Sequence, residues 1–191
     1  MNWLILVLVS YGLLAVEMGT KPLISLPEGL GGMAPSLLLV LGVYVVMMGR
    51  GNVVLWVMLG LGVVVDLMSS TIPGGPIVGP NALGFLVGGI AVLQMRGFVF
   101  RESVLAMSVM VFACGIFASL VAIFMIKLRG LGWLTNEPVP GWQSADQMYR
   151  YFMMLVYTTV LSLPLGFVLM KSTPMWGFGP RAARNPRGSR M

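Results

Sequence analysis

The sequence predicts an all-α, polytopic integral membrane protein with six transmembrane helices and both termini cytoplasmic, and three observations lead there. The first is composition: 58% of the 191 residues are apolar and only 9% are charged, against about a quarter charged in an average soluble domain. A soluble core of this size cannot hide that much apolar surface, so lipid must cover the rest. The second is segmentation. A helix rises ~1.5 Å per residue and the hydrocarbon layer is ~30 Å thick, so a span needs about 20 largely apolar residues. Six such segments, at about 2–18, 30–48, 52–72, 80–95, 103–126 and 149–170, alternate with short loops. The third is the placement of basic residues. With the N-terminus inside, Arg50, Arg96, Arg101, Lys171, Arg181, Arg184, Arg187 and Arg190 are cytoplasmic, while Lys21, Lys127, Arg129 and Arg150 lie outside or near the outer surface. Cytoplasmic loops retain Lys and Arg, which favours this orientation.

Taken in order, the first segment has no basic stretch ahead of it and no small-x-small cleavage site after it, so it reads as a retained helix and not as a secretory signal. The outer loop that follows carries Pro22 and Pro27. The second and third segments meet at a tight turn around Arg50. Between the third and fourth runs Thr71-Ile-Pro73-Gly74-Gly75-Pro76-Ile-Val-Gly79-Pro80, an uncharged stretch that forbids regular helix and demands an irregular hairpin. Its glycines form no phosphate loop, because no Lys-Ser/Thr ending and no soluble strand accompany them. Gly84-x-x-x-Gly88 on the fourth segment and Ala118-x-x-x-Ala122 on the fifth permit close helix approach, for internal packing or for a partner. The last outer loop is bordered by Trp133, Trp142, Tyr149 and Tyr151, which read as interfacial anchors and leave room for an outer-side partner. The tail, 172–191, holds Gly177, Gly179, Pro180, Pro186 and four arginines without periodicity and is expected to be disordered and basic. No internal repeat or second domain is visible.

Several function classes drop out. The net charge of +6 reads as topology and not as a nucleic-acid interface, which needs basic and aromatic residues clustered on a soluble surface. Histidine is absent and Cys114 is the one cysteine, so the commonest general base, proton shuttle and metal ligands are missing, and no cofactor or metal is expected. The 17 methionines scatter through the spans without an outer copper-type cluster and read as flexible apolar filler. A membrane serine protease needs a base beside its serine, an aspartyl protease two facing acids and a zinc protease its ligands; none is present, so no enzyme is expected. An ion-driven transporter ordinarily shows several intramembrane polar groups and broken helices, which the segments do not show.

Asp66 is the most informative residue. It stands about 14 residues into the third segment, ~21 Å along a helix, in its outer third. An ionisable group inside a span is a functional candidate by default. Gly62, Asp66, Ser69 and Ser70 share one helix face, a small polar stripe aimed at a neighbouring helix or a crevice. Three readings stay open at this point: a packing or hydrogen-bonding anchor, a small-ligand or ion site, and an incidental interfacial charge.

The third segment, its hairpin and the opening of the fourth resemble the MreD family of bacterial rod-shape-determining membrane proteins. In that family a Gly-rich span ends in an Asp-Leu-x-Ser-Gly-like element, followed by a Gly-containing hairpin and an Ala-Leu pair that opens the next helix. Gly60, Gly62, Asp66, Leu67 and Ser69, then Gly79, Ala82 and Leu83, carry the resemblance. It spans about 25 residues. Ser70 stands where glycine is usual, the hairpin is longer with three prolines, and the Arg-rich tail is extended. The resemblance implies a non-enzymatic scaffold in the cytoplasmic membrane, working in cell elongation and peptidoglycan synthesis. Its implied partners are an MreC-like protein, a RodA-type glycosyltransferase with its transpeptidase, the actin-like MreB filament and the lipid bilayer. It also implies a runner-up, because the family is thought to share its helical arrangement with the substrate-binding subunits of energy-coupling-factor transporters. The motif residues carried over as an interaction or structural element are Gly62, Asp66, Ser69, Gly79, Ala82 and Leu83.

Overall fold

A computed structural model describes residues 2–24, 34–49, 51–68, 78–97, 103–129 and 144–177. Among them the chain is all-helical, without strands: α1 (Trp3–Ile24), α2 (Leu37–Met48), α3 (Val53–Met68), α4 (Pro80–Met95), α5 (Val104–Arg129) and α6 (Ser144–Lys171), then a 3-10 turn at Thr173–Trp176. Three helices hold stretches long and apolar enough to cross a membrane, Trp3–Thr20, Val104–Leu128 and Met148–Lys171. The other three are apolar but shorter, 12 residues in α2 and 16 each in α3 and α4.

The fourth segment begins and ends where the sequence places it, because Pro80 pre-sets the first helical turn and the apolar run stops at Arg96. The second is corrected. Ala34, Pro35 and Ser36 are not helical, since a residue before proline is steered away from the α region and Ser36 takes an extended conformation at φ −93° and ψ 99°. The Ser36 hydroxyl accepts the Leu39 N–H at 3.4 Å, which makes Ser36 the N-cap. Thus α2 is about 18 Å long at ~1.5 Å per residue, and residues 30–33 lie outside the described chain. Helix α3 ends at Met68, with 69–72 outside the described chain. Helices α1 and α6 run four residues beyond their apolar stretches, and α5 runs one. Lys127, exposed near the end of the α5 stretch, is tolerated there because a long side chain can carry its charge out of an apolar layer.

Contacts between ends show an up-and-down arrangement. The C-terminal half of α2 meets the 3-10 turn that follows α6, where the Tyr44 hydroxyl and Thr173 Oγ1 lie 3.1 Å apart. Arg96, just past α4, reaches the C-terminal end of α2. Gly166, late in α6, faces Met107 and Val104, early in α5. Helix α2 occupies the middle, with every residue from Leu37 to Met47 buried; α1, α3, α4, α5 and α6 all lie against it.

The α3–α4–α5 layer is drawn tight by glycines. A Cβ on Gly84 would sit 2.7 Å from the Ala118 carbonyl oxygen, and one on Gly88 would sit 2.7 Å from Cys114 Sγ. The small-residue stripe of the fourth segment therefore packs on the fifth inside this fold. Between α5 and α6 a buried Ser162–Ser108 hydroxyl pair bonds at 2.9 Å.

The start of the tail is also corrected. Residues 172–177 are folded, and Trp176 is 1% exposed. The Gly/Pro/Arg composition hides this because the tryptophan packs through tertiary contact with Tyr44, ring centroids 5.2 Å apart, and not through any local period. Residues 178–191 lie outside the described chain.

Gly62 and Gly60 give a paired test of the packing. A Cβ on Gly62 would lie 2.6 Å from Ala82 Cα, on backbone that cannot step aside, whereas Gly60 has nothing within 4 Å. Gly62→Ala is expected to destabilise the purified protein by about 1–3 kcal/mol, as overpacking does. Gly60→Ala should be neutral or stabilising by up to roughly 1 kcal/mol, because alanine is the better helix former. Thermal unfolding in detergent followed by circular dichroism reads both.

Candidate functional site

The candidate site is the junction of α3 and α4, and it begins with an accounting problem. The first N–H groups of a helix have no partner inside the helix, and buried donors left unpaired cost about 1–3 kcal/mol each. At the start of α4, Pro80 has no N–H to place. The Leu83 N–H donates to the Gly79 carbonyl at 2.9 Å. That leaves Gly79, Asn81 and Ala82, and Asp66 receives all three. Its Oδ2 accepts the Gly79 N–H at 2.8 Å and the Ala82 N–H at 3.0 Å. Its Oδ1 accepts the Asn81 N–H at 3.0 Å and the Asn81 side-chain amide at 2.9 Å. Asp66 is 1% exposed, in the last turn of α3. A carboxylate suits the place because it offers acceptors only, and a negative charge matches the positive end of the helix dipole.

Two glycines make this geometry possible. Gly79 holds φ at +140°, a conformation that disfavours any side chain. Gly62, one turn before Asp66 on the same face, lets the α4 backbone approach α3 closely enough for the carboxylate to reach it. Of the residues singled out in the sequence, Gly62, Asp66, Gly79 and Ala82 therefore come together in one joint. Leu83 does not join them: it is 39% exposed on the outer side of α4. Ser69 lies outside the described residues. Asn81 belongs to the joint and was missed, although an amide side chain directly after a helix-opening proline marks it as a capping partner.

Two further charges cap the central helix in the same manner. At its N-terminal end, Glu17 of α1 accepts the N–H groups of Leu37 at 2.9 Å and Leu38 at 3.3 Å. The Ser36 N–H goes to Thr158 Oγ1 of α6 at 3.1 Å, and Thr158 in turn donates to the Met154 carbonyl at 2.7 Å. At the C-terminal end, Arg96 Nη1 donates to the carbonyls of Val46 at 3.0 Å and Gly49 at 2.9 Å. The signs suit the dipole, with the acid at the N-terminus and the base at the C-terminus. Sequence reasoning read Arg96 only as a mark of orientation and passed over Glu17. The signal for Glu17 was present, a single acid among the apolar residues of the first segment.

No family model, no curated protein and no solved structure matches this chain. The functional reading therefore rests on geometry and on the resemblance of the α3–α4 element. Among the described residues no three His, Cys, Asp or Glu side chains gather as metal ligands would. The buried side-chain polar atoms among them all have hydrogen-bond partners. What the arrangement does chemically is hold helices: one charged side chain from a neighbouring helix fixes each buried terminus.

Substitution of Asp66 tests this directly. Asp66→Leu leaves the Gly79, Asn81 and Ala82 donors without an acceptor and is expected to cost several kcal/mol, at about 1–3 kcal/mol for each buried unpaired group. Asp66→Asn keeps one acceptor oxygen but turns its amide donors toward the remaining N–H groups, so it should fall between leucine and wild type. The measurement is the melting temperature of the detergent-purified variants. Equal melting temperatures for wild type and both variants would contradict the joint.

Proposed function

We propose that this chain is a six-span protein of the bacterial cytoplasmic membrane, with both termini inside, that acts as a non-enzymatic scaffold of the cell-elongation machinery. It would position an MreC-like protein and, through the complex, a RodA-type glycosyltransferase with its transpeptidase, next to an MreB-type filament. The observation that carries the reading is the Asp66 joint. Gly62, Asp66, Gly79 and Ala82, all part of the MreD-like element, form a rigid helix-to-helix fastening whose acid is occupied by the backbone of α4. An intramembrane acid used in this way serves shape. A shape-keeping bundle with broad apolar outer faces is what a membrane scaffold requires.

The six-span reading is supported by the up-and-down arrangement and by the full enclosure of α2. A short helix sheltered by longer neighbours need not itself match the bilayer, because protein covers the backbone at its ends. The cytoplasmic placement of both termini is supported by the sequence, in which Arg50, Arg96, Arg101, Lys171 and the four tail arginines all fall on the side assigned to the cytoplasm.

A second reading, a substrate-binding membrane subunit of an energy-coupling-factor-type transporter, is favoured by one observation. The N-terminus of α2 bonds to Thr158, near the middle of the apolar Met148–Lys171 stretch. Half-length helices that begin deep in the membrane commonly form ligand sites.

Purification of the tagged full chain from native membranes separates the two. The scaffold reading expects recovery of an MreC-like protein or of other elongation-complex members, and recovery of none would end it. The transporter reading expects an ATPase module in the same preparation and a rise in melting temperature with its ligand.

A further inference from the structure

Helix α1 is attached to the bundle unlike the other helices. Among its described side chains only Leu6 is buried, while Trp3, Leu4, Val7, Leu8 and Tyr11 are each more than half exposed. Its inner side, Ile5, Val9, Leu13 and Leu14, lies against the apolar core. In a bilayer such a seam supplies packing but little drive to associate, because lipid tails are as apolar as the side chains they would replace. Polar contacts then determine whether α1 stays in place, and among the described residues two points of such contact stand out.

One point is Glu17 on the N–H groups of Leu37 and Leu38. The other is a clasp where the start of α1 meets the turn after α6. The Asn2 N–H donates to the Trp176 carbonyl at 2.9 Å. The Trp176 ring sits edge-on to Tyr44 of α2, and its indole N–H donates to Ser172 Oγ at 3.0 Å. Thr173 is hydrogen-bonded to the Tyr44 hydroxyl. Gly177 follows in the left-handed conformation at φ +61°.

The clasp is built from the weakest class of helical element. A single 3-10 turn has poor hydrogen-bond geometry, and short terminal elements open at lower free energy than core helices. Tryptophan is also at home at the membrane interface, so an unseated Trp176 has a favourable place to go. The flank of α2 that α1 would uncover is apolar, since the helix reads Leu-Leu-Leu-Val-Leu-Gly-Val-Tyr-Val-Val-Met-Met. Lipid or an incoming helix would cover it without a desolvation cost.

We infer that Thr173–Trp176 is a latch on α1. With Trp176 seated beside Tyr44, the start of α1 is held against the bundle. With Trp176 out, α1 pivots about its Glu17 end and bares the flank of α2.

The test is a distance measurement on the full chain in lipid vesicles. Spin labels are placed on cysteines introduced at the exposed positions Tyr11 on α1 and Leu120 on α5, in a Cys114→Ala background, and read by double electron–electron resonance. The parent should give one narrow distance distribution. Asn2→Pro removes the N–H that donates to the Trp176 carbonyl, just ahead of the first helical residue, and should add a second population at a shifted distance. Trp176→Ala should add the same population, more strongly, while the lipid-facing Phe167→Ala should leave the parent distribution. An unchanged distribution in Asn2→Pro overturns the latch whatever Trp176→Ala does, because that variant removes the Asn2 N–H and keeps the Trp176 side chain.

Discussion

A helix that ends inside a packed apolar bundle has no water to complete its hydrogen bonds, and the rest of this structure follows from that constraint. Helix α2 is only 12 residues long and buried from Leu37 to Met47, so its termini fall within protein. Glu17 serves one end and Arg96 the other. The start of α4 is served by Asp66. Helices α5 and α6 are 26 and 28 residues long, long enough for their ends to reach polar surroundings that complete the terminal groups. The three charges thus stand where short helices begin or stop, each on a different helix from the one it caps. Each cap therefore also fixes a pair of helices against one another.

The Asp66 joint shows how strongly these features depend on one another. A carboxylate reaches three backbone donors across a helix interface only if the backbones approach to near contact, and Gly62 supplies that approach. The donors converge only if the chain turns sharply before Pro80, and Gly79 supplies the turn at φ +140°. Any one of these residues alone would be a weak packing feature. Together they set the register and rotation of α4 on α3. The glycines of α4 at 84 and 88 then carry that placement on to α5 by contact with Ala118 and Cys114.

Much of the fold was legible in the sequence because lipid imposes a simple rule, long apolar runs separated by charged or Gly/Pro-rich breaks. Helix α4 was bounded correctly since Pro80 and Arg96 mark its ends by local chemistry. Helix α2 was drawn too long because hydropathy does not register that Pro35 and an N-cap serine stop a helix within an apolar stretch. Asp66 was found because an acid within an apolar run is conspicuous, yet its partners Gly79, Asn81 and Ala82 lie beyond 69–77, where the expected hairpin falls outside the described residues, and no local period connects them. Trp176 was missed for a related reason. Its burial depends on Tyr44, far away in the chain, and a composition rich in Gly, Pro and Arg gives no sign of such a contact.

The same geometry also weighs the scaffold against a ligand-binding subunit. An anionic ligand directed at the deep N-terminus of α2 would have to take the N–H groups of Leu37 and Leu38 from Glu17. Glu17 is tethered through α1, so it competes at an effective concentration of about millimolar or above, as linked groups do. A free ligand would therefore need further contacts to displace it, yet the neighbouring Ser36 and Thr158 already bond to each other. At the start of α4 the competition is steeper, because Asp66 makes four hydrogen bonds from a fully packed position. Both helix termini are thus closed by the protein's own side chains. Closed termini fix the relative positions of α1, α2, α3 and α4, and fixed helix positions are what the proposed scaffold would offer its partners.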